Sequence, residues 1–215
     1  MSHKPSHVRV VALGDSLTVG FQSYGLLGVE ESSAPYTDYL VEQARKEFTA
    51  DVVSLEVLNK GIVGELTEQM LSRFDSDVIR ASPKIVIILG GSNDLGWGLS
   101  VEEVFSNLRE MYELSLRNGI TSIACTVPSI LDYDDGIPPR ITLNRLIQEY
   151  CWKTHVRCAD LFTATMERAT GRLAARYSSD GLHLNAEGYR RMGLTIYEQA
   201  LAPILRSMLT HESPR

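Results

Sequence analysis

Four short segments hold residues whose types and spacing would let them do chemistry together. Gly14-Asp15-Ser16-Leu17-Thr18-Val19-Gly20 places Ser16 just beyond an apolar run. A serine hydroxyl is a weak nucleophile and needs a base within hydrogen-bond reach. Far along the chain, Asp180-Gly181-Leu182-His183 precedes the last helical pattern. Its i, i+3 spacing lets a carboxylate meet the imidazole Nδ1–H, which leaves Nε2 free to accept a proton. Between the two, Gly90-Gly91-Ser92-Asn93-Asp94 offers the amide donor of Asn93. Asn59-Lys60-Gly61-Ile62-Val63-Gly64 offers glycines that allow backbone N–H groups to face a ligand. A tetrahedral intermediate of acyl transfer needs donors of this kind aimed at one developing oxyanion.

Taken singly, each segment also has an ordinary structural meaning. Serines after strands serve turns and caps, asparagine after a strand closes an Asx turn, and two glycines make a turn. Asp180 would then be a capping residue and His183 a surface histidine. The combination is far more specific than any of its members.

These segments must be positioned by the elements around them. Val8 to Leu13, Val52 to Leu58, Lys84 to Leu89, Ile120 to Val127 and His155 to Leu161 read as five strands, several of them nearly continuous apolar runs. Helical patterns alternate with them. Pro35 to Phe48 has Ser33 as its cap, and Glu65 to Phe74 is short. Ser100 to Arg117 opens on the capping box Ser100-x-x-Glu103, Pro138 to Tyr150 begins at a proline pair, and Asn185 to Leu209 is capped by Asn185. Such alternation, without repeats or linkers, predicts an α/β fold with a five-stranded parallel sheet covered by helices on both faces. Ligands of such sheets bind beyond the carboxyl ends of the strands. The irregular segments 14–33, 59–64 and 90–99 lie there. We expect one domain over residues 8–209, with flexible termini at 1–7 and 210–215.

Composition excludes other classes. The 215 residues are 44% hydrophobic and 22% charged, which indicates neither a disordered nor a fibrous chain. A net charge of −6 without a basic run argues against nucleic acid and anionic membrane surfaces as partners. No apolar run reaches the length of a membrane span, so stable membrane insertion is not expected. Met1 to His7 lacks the apolar core of a signal peptide, and we expect a soluble cytoplasmic protein. Cys125, Cys151 and Cys158 contain no C-x-x-C pair and read as buried free thiols. Neither metal nor cofactor is called for. His155 reads as structural, and Asp132, Asp134 and Asp135 as a solvated loop. Trp97 reads as either a pocket wall or a packing residue.

In the order GDSL, N-x-G, G-x-N-D and D-x-x-H, the four segments resemble the sequence blocks of the SGNH hydrolases, also called GDSL esterases. The resemblance runs from about Val8 to the closing helix, and DGLHLNAEGY (Asp180 to Tyr189) matches the last block closely. It implies a single-domain, flavodoxin-like α/β/α sandwich and a serine esterase acting on small-molecule carboxylic esters or thioesters. By the resemblance Ser16 is the nucleophile, His183 the base and Asp180 its orienting carboxylate. The backbone N–H groups of Ser16 and Gly61 and the side chain of Asn93 would form the oxyanion hole. It further implies the lysophospholipase, thioesterase and arylesterase branch, with a sugar-acetyl esterase as the nearest alternative. No Gly-x-Ser-x-Gly occurs, so the α/β-hydrolase nucleophile elbow is absent.

Two readings from other classes stand beside this one. Asp15, Asp94 and Asp180 could gather at the strand ends around Mg²⁺, as in a metal-dependent phosphatase or a phospho-acceptor, although no paired D-x-D follows the first strand. Alternatively, a binding module could keep the fold without turnover. Modest loops and no separate lid lead us to expect short-to-medium acyl chains.

Overall fold

The computed structural model describes residues 6–22 and 34–212. Five strands form one parallel sheet: β1 Ser6–Gly14, β2 Val53–Gly61, β3 Ile85–Leu89, β4 Thr121–Cys125 and β5 Arg157–Ala159. Their order is β2-β1-β3-β4-β5, with every neighbouring pair parallel. The order reverses between β1 and β3, at the switch point where open α/β sheets bind ligands.

Alternation along the inner strands divides the apolar side chains between two cores. Val8, Val10 and Ala12 face one side with Ile85, Ile87 and Leu89, while Val11 and Leu13 face the other with Val86 and Ile88. The first side is covered by α2 Tyr36–Glu47, α8 Ala186–Ile196 and α9 Ala202–Glu212. The second is covered by α3 Thr67–Ser72, α5 Val101–Arg117 and α6 Ile137–Thr154. Each such side chain taken out of water contributes about 1.5–3 kcal/mol. Short helices α1 Ser16–Val19 and α4 Ser92–Gly96 follow β1 and β3 directly, and α7 Leu161–Thr165 follows β5.

Several boundaries differ from the sequence expectation, some through strand pairing and some for local reasons. β1 begins at Ser6, because Ser6 and His7 are in register with Val53 and Ser54 of β2. β2 runs to Gly61, in register with Gly14, so half of the segment expected to be irregular belongs to the sheet. β5 is confined to three residues, and His155 caps α6 in the left-handed region at φ 61° instead of opening a strand. The closing helix is interrupted by a π-turn at Tyr197–Leu201, just before Pro203. Proline has no N–H to give and its ring crowds the preceding turn, and the wider turn accommodates both. The last helix continues to Glu212, into the segment expected to be flexible. The caps at Ser100 and Asn185 form as expected, whereas Ser33 lies outside the described residues.

Two residues beyond β4, Val127 is clamped by one side chain. Asn144 of α6, buried, accepts from Val127 N–H at 2.7 Å and donates to Val127 C=O at 2.8 Å. Asn144→Ala strands both buried backbone groups and is expected to cost about 2–4 kcal/mol of stability. Urea unfolding measures this, and a variant within 0.5 kcal/mol of wild type would show that the clamp contributes nothing net.

Candidate active site

Gly14 ends β1, and the chain then winds into the single turn of α1. Asp15 caps that turn by accepting from Leu17 N–H at 2.9 Å, which makes Ser16 its first residue. An N1 position has no intrahelical partner for its own N–H, so the Ser16 N–H stays available at the strand end. Gly61 packs directly beneath this turn: a Cβ there would collide with the backbone of Thr18 and Val19. Asn59 fixes the turn from the side by donating to Thr18 C=O at 2.6 Å.

His183 reaches Ser16 from a tight turn before α8. An isolated antiparallel bridge pairs Ser178 with Leu184, and Gly181 takes φ 91° at the bend. Within the turn, Asp180 Oδ1 accepts from the N–H groups of Leu182 (3.0 Å) and His183 (2.7 Å). Asp180 Oδ2 lies 2.7 Å from His183 Nδ1, and His183 Nε2 lies 3.1 Å from Ser16 Oγ. An ionised carboxylate only accepts, so Nδ1 carries the proton and Nε2 is the acceptor facing the serine. Burial opposes ionisation of Asp180, but the hydrogen bonds from His183 and Leu182 outweigh it and hold its carboxyl below the usual range. Phe21 meets the imidazole edge-on at 4.7 Å between ring centroids and fixes its plane.

The donors expected opposite this pair differ in their hydrogen-bond partners. Asn93 stands in the first turn of α4, where Nδ2 donates one hydrogen to Glu65 C=O at 3.0 Å and keeps its second. The Gly61 N–H is engaged by a side chain. It already donates to Asn59 Oδ1 at 3.0 Å, because β2 is an edge strand and that N–H points away from β1 towards the asparagine side chain. Gly64, in the same segment, takes φ 77° and is exposed, and its N–H has no partner among the described residues. It directly precedes Glu65, whose carbonyl holds Asn93. The glycine content of the segment was visible in the sequence. The choice between the two N–H groups depended on Asn59.

The three aspartates considered as a cation site are each engaged by separate donors. Asp15 caps α1, Asp94 accepts from Thr67 N–H (3.0 Å) and Oγ1 (2.5 Å), and Asp180 holds His183. Among the described residues no group of three or more His, Cys, Asp or Glu side chains is arranged to hold a metal ion. Trp97 is 78% exposed and covers nothing. Its N–H bonds Asn93 C=O, which places it one turn beyond Asn93, at the C-terminal cap of α4. The acidic loop touches the site through Leu131, whose N–H donates to Gly181 C=O at 2.8 Å, and Asp134 is paired with Arg172. Cys125 and Cys151 are buried free thiols, while Cys158 is only partly buried. Most of the loop 21–33 lies outside the described residues.

Comparison with known proteins agrees with this architecture. The sequence profile of the GDSL-like lipase/acylhydrolase family matches residues 12–191. A curated relative, the uncharacterized lipoprotein YqeF of Bacillus subtilis, is 34% identical over 131 residues, covering 57% of this chain. The match spans 49% of that protein, about half its length. A lipase/acylhydrolase from Enterococcus faecalis superposes with a TM-score of 0.70 at 24% identity, covering 97% of this chain and 98% of the other. Axe2, an acetylxylan esterase from Geobacillus stearothermophilus, superposes with a TM-score of 0.72 at 20% identity, covering 93% and 96%. At these identities the two structures carry the fold alone. Among the described residues no helix is long and apolar enough to cross a membrane.

One group beneath the serine has a measurable signature. Burial pushes the Asp15 carboxyl from 3.8 up to about 7, partly offset by the Leu17 N–H and reinforced by the nearby carboxylates of Asp94 and Glu65. Between those two pH values the folded chain keeps a proton that the unfolded chain has released. The associated stability is complete at acid pH and is lost as the pH rises through about 7. Asp15→Asn keeps the Oδ1 acceptor but does not titrate. Wild type should therefore lose stability relative to Asp15→Asn as the pH is raised from about 5 to about 8, measured by urea unfolding at each pH. A difference that did not change with pH would show that Asp15 ionises as freely folded as unfolded.

Proposed function

The chain belongs to the GDSL-like lipase/acylhydrolase family, and from that premise we propose that it is a serine esterase working through Ser16, His183 and Asp180. The observation that carries the proposal is the unbroken relay from Ser16 Oγ to His183 Nε2 at 3.1 Å and from His183 Nδ1 to Asp180 at 2.7 Å. In this reading, Ser16 Oγ attacks the ester carbonyl while Nε2 takes its proton. The imidazolium that forms is stabilised by Asp180, which the surrounding donors keep ionised. Collapse of the tetrahedral intermediate returns that proton to the leaving alcohol or thiol and leaves an acyl-enzyme. Water, activated by His183, then releases the acid. The negative charge on the former carbonyl oxygen is met by the Ser16 N–H, the Gly64 N–H and the second hydrogen of Asn93 Nδ2.

The proposed substrates are small esters or thioesters with short-to-medium acyl chains. Val19, Ile62, Val63 and Trp97 are exposed apolar side chains on the segments that bear Ser16, Gly64 and Asn93. An acyl chain lying across them gains up to about 0.8 kcal/mol per methylene covered. A sugar-acetyl ester would use the same chemistry with a different leaving group. Initial rates on p-nitrophenyl esters of increasing length, run beside acetylated xylo-oligosaccharides, separate these substrates. Rates on the p-nitrophenyl series should rise over the first few carbons and then decline. A kcat/KM still climbing beyond about ten carbons would instead imply a long acyl groove.

Two variants test the machinery. Ser16→Ala should lower kcat on the order of 10⁶ while the protein remains folded, and a serine-directed phosphonate should label Ser16 in the wild type. More than a tenth of wild-type rate in that variant, or labelling at Ser92, would sink the assignment. Asn93→Ala should lower kcat by about 10²–10³ with little change in KM, since its donor strengthens only as the oxyanion forms. An unchanged kcat, or a loss tracking the folded fraction in a melting curve, would remove Asn93 from the site.

A further inference from the structure

Arg73 follows α3 and sits under the ends of two strands, with its side chain 13% exposed. Its guanidinium has no idle face. Nε donates to Glu65 Oε1 at 2.6 Å and Nη2 pairs with Glu65 Oε2, a two-pronged grip on a carboxylate that is 5% exposed. Nη1 donates to Asp77 at 2.7 Å. Nη2 also reaches two backbone carbonyls, Lys60 C=O at 2.8 Å and Gly14 C=O at 3.3 Å.

The partners of Arg73 belong to separate parts of the site. Gly14 is the last residue of β1 and leads through Asp15 into Ser16. Lys60 precedes Gly61, which packs beneath the Ser16 turn. Glu65 follows Gly64, and its carbonyl oxygen accepts from Asn93 Nδ2. The Gly14 carbonyl additionally accepts from Ile62 N–H at 3.0 Å, so Arg73 closes a ring already begun by the backbone. The Glu65 side chain is thus held by Arg73 while its backbone carbonyl holds the amide of Asn93.

We infer that Arg73 and Glu65 are positioning residues that set the register between the nucleophile turn and the oxyanion donors. The inference rests on the serine-esterase reading above. Neither side chain touches substrate. Arg73 acts through the Gly14 and Lys60 carbonyls, and Glu65 acts through its own backbone. The pairing is geometric as much as electrostatic, because only a planar fork grips a carboxylate at two points while reaching two carbonyls. Donor placement matters to rate at the ångström scale, where a displacement of about 1 Å is able to cost about 10²-fold.

The experiment compares Arg73→Lys and Glu65→Gln with wild type, Asn93→Ala and each double variant with Asn93→Ala. Both brace variants keep a polar side chain that partly satisfies the site, so they remain informative where Arg73→Ala fails to fold. Steady-state rates are normalised to the folded fraction, and the affinity for an alkyl boronic acid, which forms a tetrahedral adduct on the serine, is measured alongside. The expected result is a tenfold to hundredfold fall in kcat with KM within about threefold, and a matching loss of boronate affinity. Each double variant should lose less than the product of the two single losses, because part of each brace variant's loss runs through the Asn93 amide held by Glu65. The brace is overturned if folded Arg73→Lys and Glu65→Gln both keep more than half of wild-type kcat. It is also overturned if their losses multiply with that of Asn93→Ala, or if activity falls only in proportion to unfolding. Wild-type hydrolysis that Ser16→Ala abolishes establishes the underlying reading separately, so a failed brace leaves it standing. An inactive wild type overturns both.

Discussion

Parallel strands that end together leave carbonyl oxygens at one edge with no further strand to answer them. Buried backbone acceptors have to be paired, and here one guanidinium, Arg73, donates to both Lys60 C=O and Gly14 C=O, the latter also accepting from Ile62 N–H. The same group neutralises Glu65 and joins Asp77, so satisfaction of the strand ends and compensation of buried charge are one event. Breaking such a pair on one side leaves an uncompensated charge in a poorly solvated place, which is why these residues behave as a unit.

Around that anchor, two different kinds of environment meet at Ser16. Beside the serine lie the buried carboxylates Asp15, Asp94 and Glu65, where burial above all, with the charges of Asp94 and Glu65 adding to it, raises the Asp15 carboxyl into the neutral range. On its other side lies Asp180, its side chain 27% exposed and supplied with three hydrogen-bond donors, its carboxyl held below the usual range. Carboxylates of the same intrinsic acidity are thus pushed in opposite directions by burial and donor count. The arrangement suits a proposed mechanism in which positive charge appears transiently on His183: the ionised partner is the one in contact with the imidazole.

Rigidity is distributed to match. The Asp180–His183 turn is closed by a bridge, a glycine at positive φ and the Leu131 contact, while Phe21 fixes the plane of the imidazole. The Asn93 segment is held by Asp94 against Thr67 and by its own amide against Glu65. Between them, the exposed side chains of Ile62, Val63 and Trp97 have few obligations to the fold and are open to variation without disturbing the frame.

By itself the sequence determined the order of the elements and much that depends on neighbours within a few residues. The alternation of apolar strands with amphipathic helices specified a parallel sheet flanked by helices, because burial on both faces leaves that pattern. Spacing of three residues was enough to bring Asp180 to His183, and a turn after a buried strand was enough to present Ser16. The caps at Ser100 and Asn185 followed from the same local logic. Only the tertiary structure decided which glycine keeps an N–H without a partner among the described residues. Gly61 and Gly64 are indistinguishable as letters, but Asn59, oriented by Thr18 across the fold, occupies the N–H of Gly61. Arg73 and Glu65 carried no signal of their own, since charged residues eight apart on a short helical segment read as solvated. Their roles arise from carbonyls of β1 and β2 that the sheet brings to them. Hydrogen-bond partners buried at strand ends are chosen by competition among groups distant in sequence, and that competition is resolved only when the chain is packed.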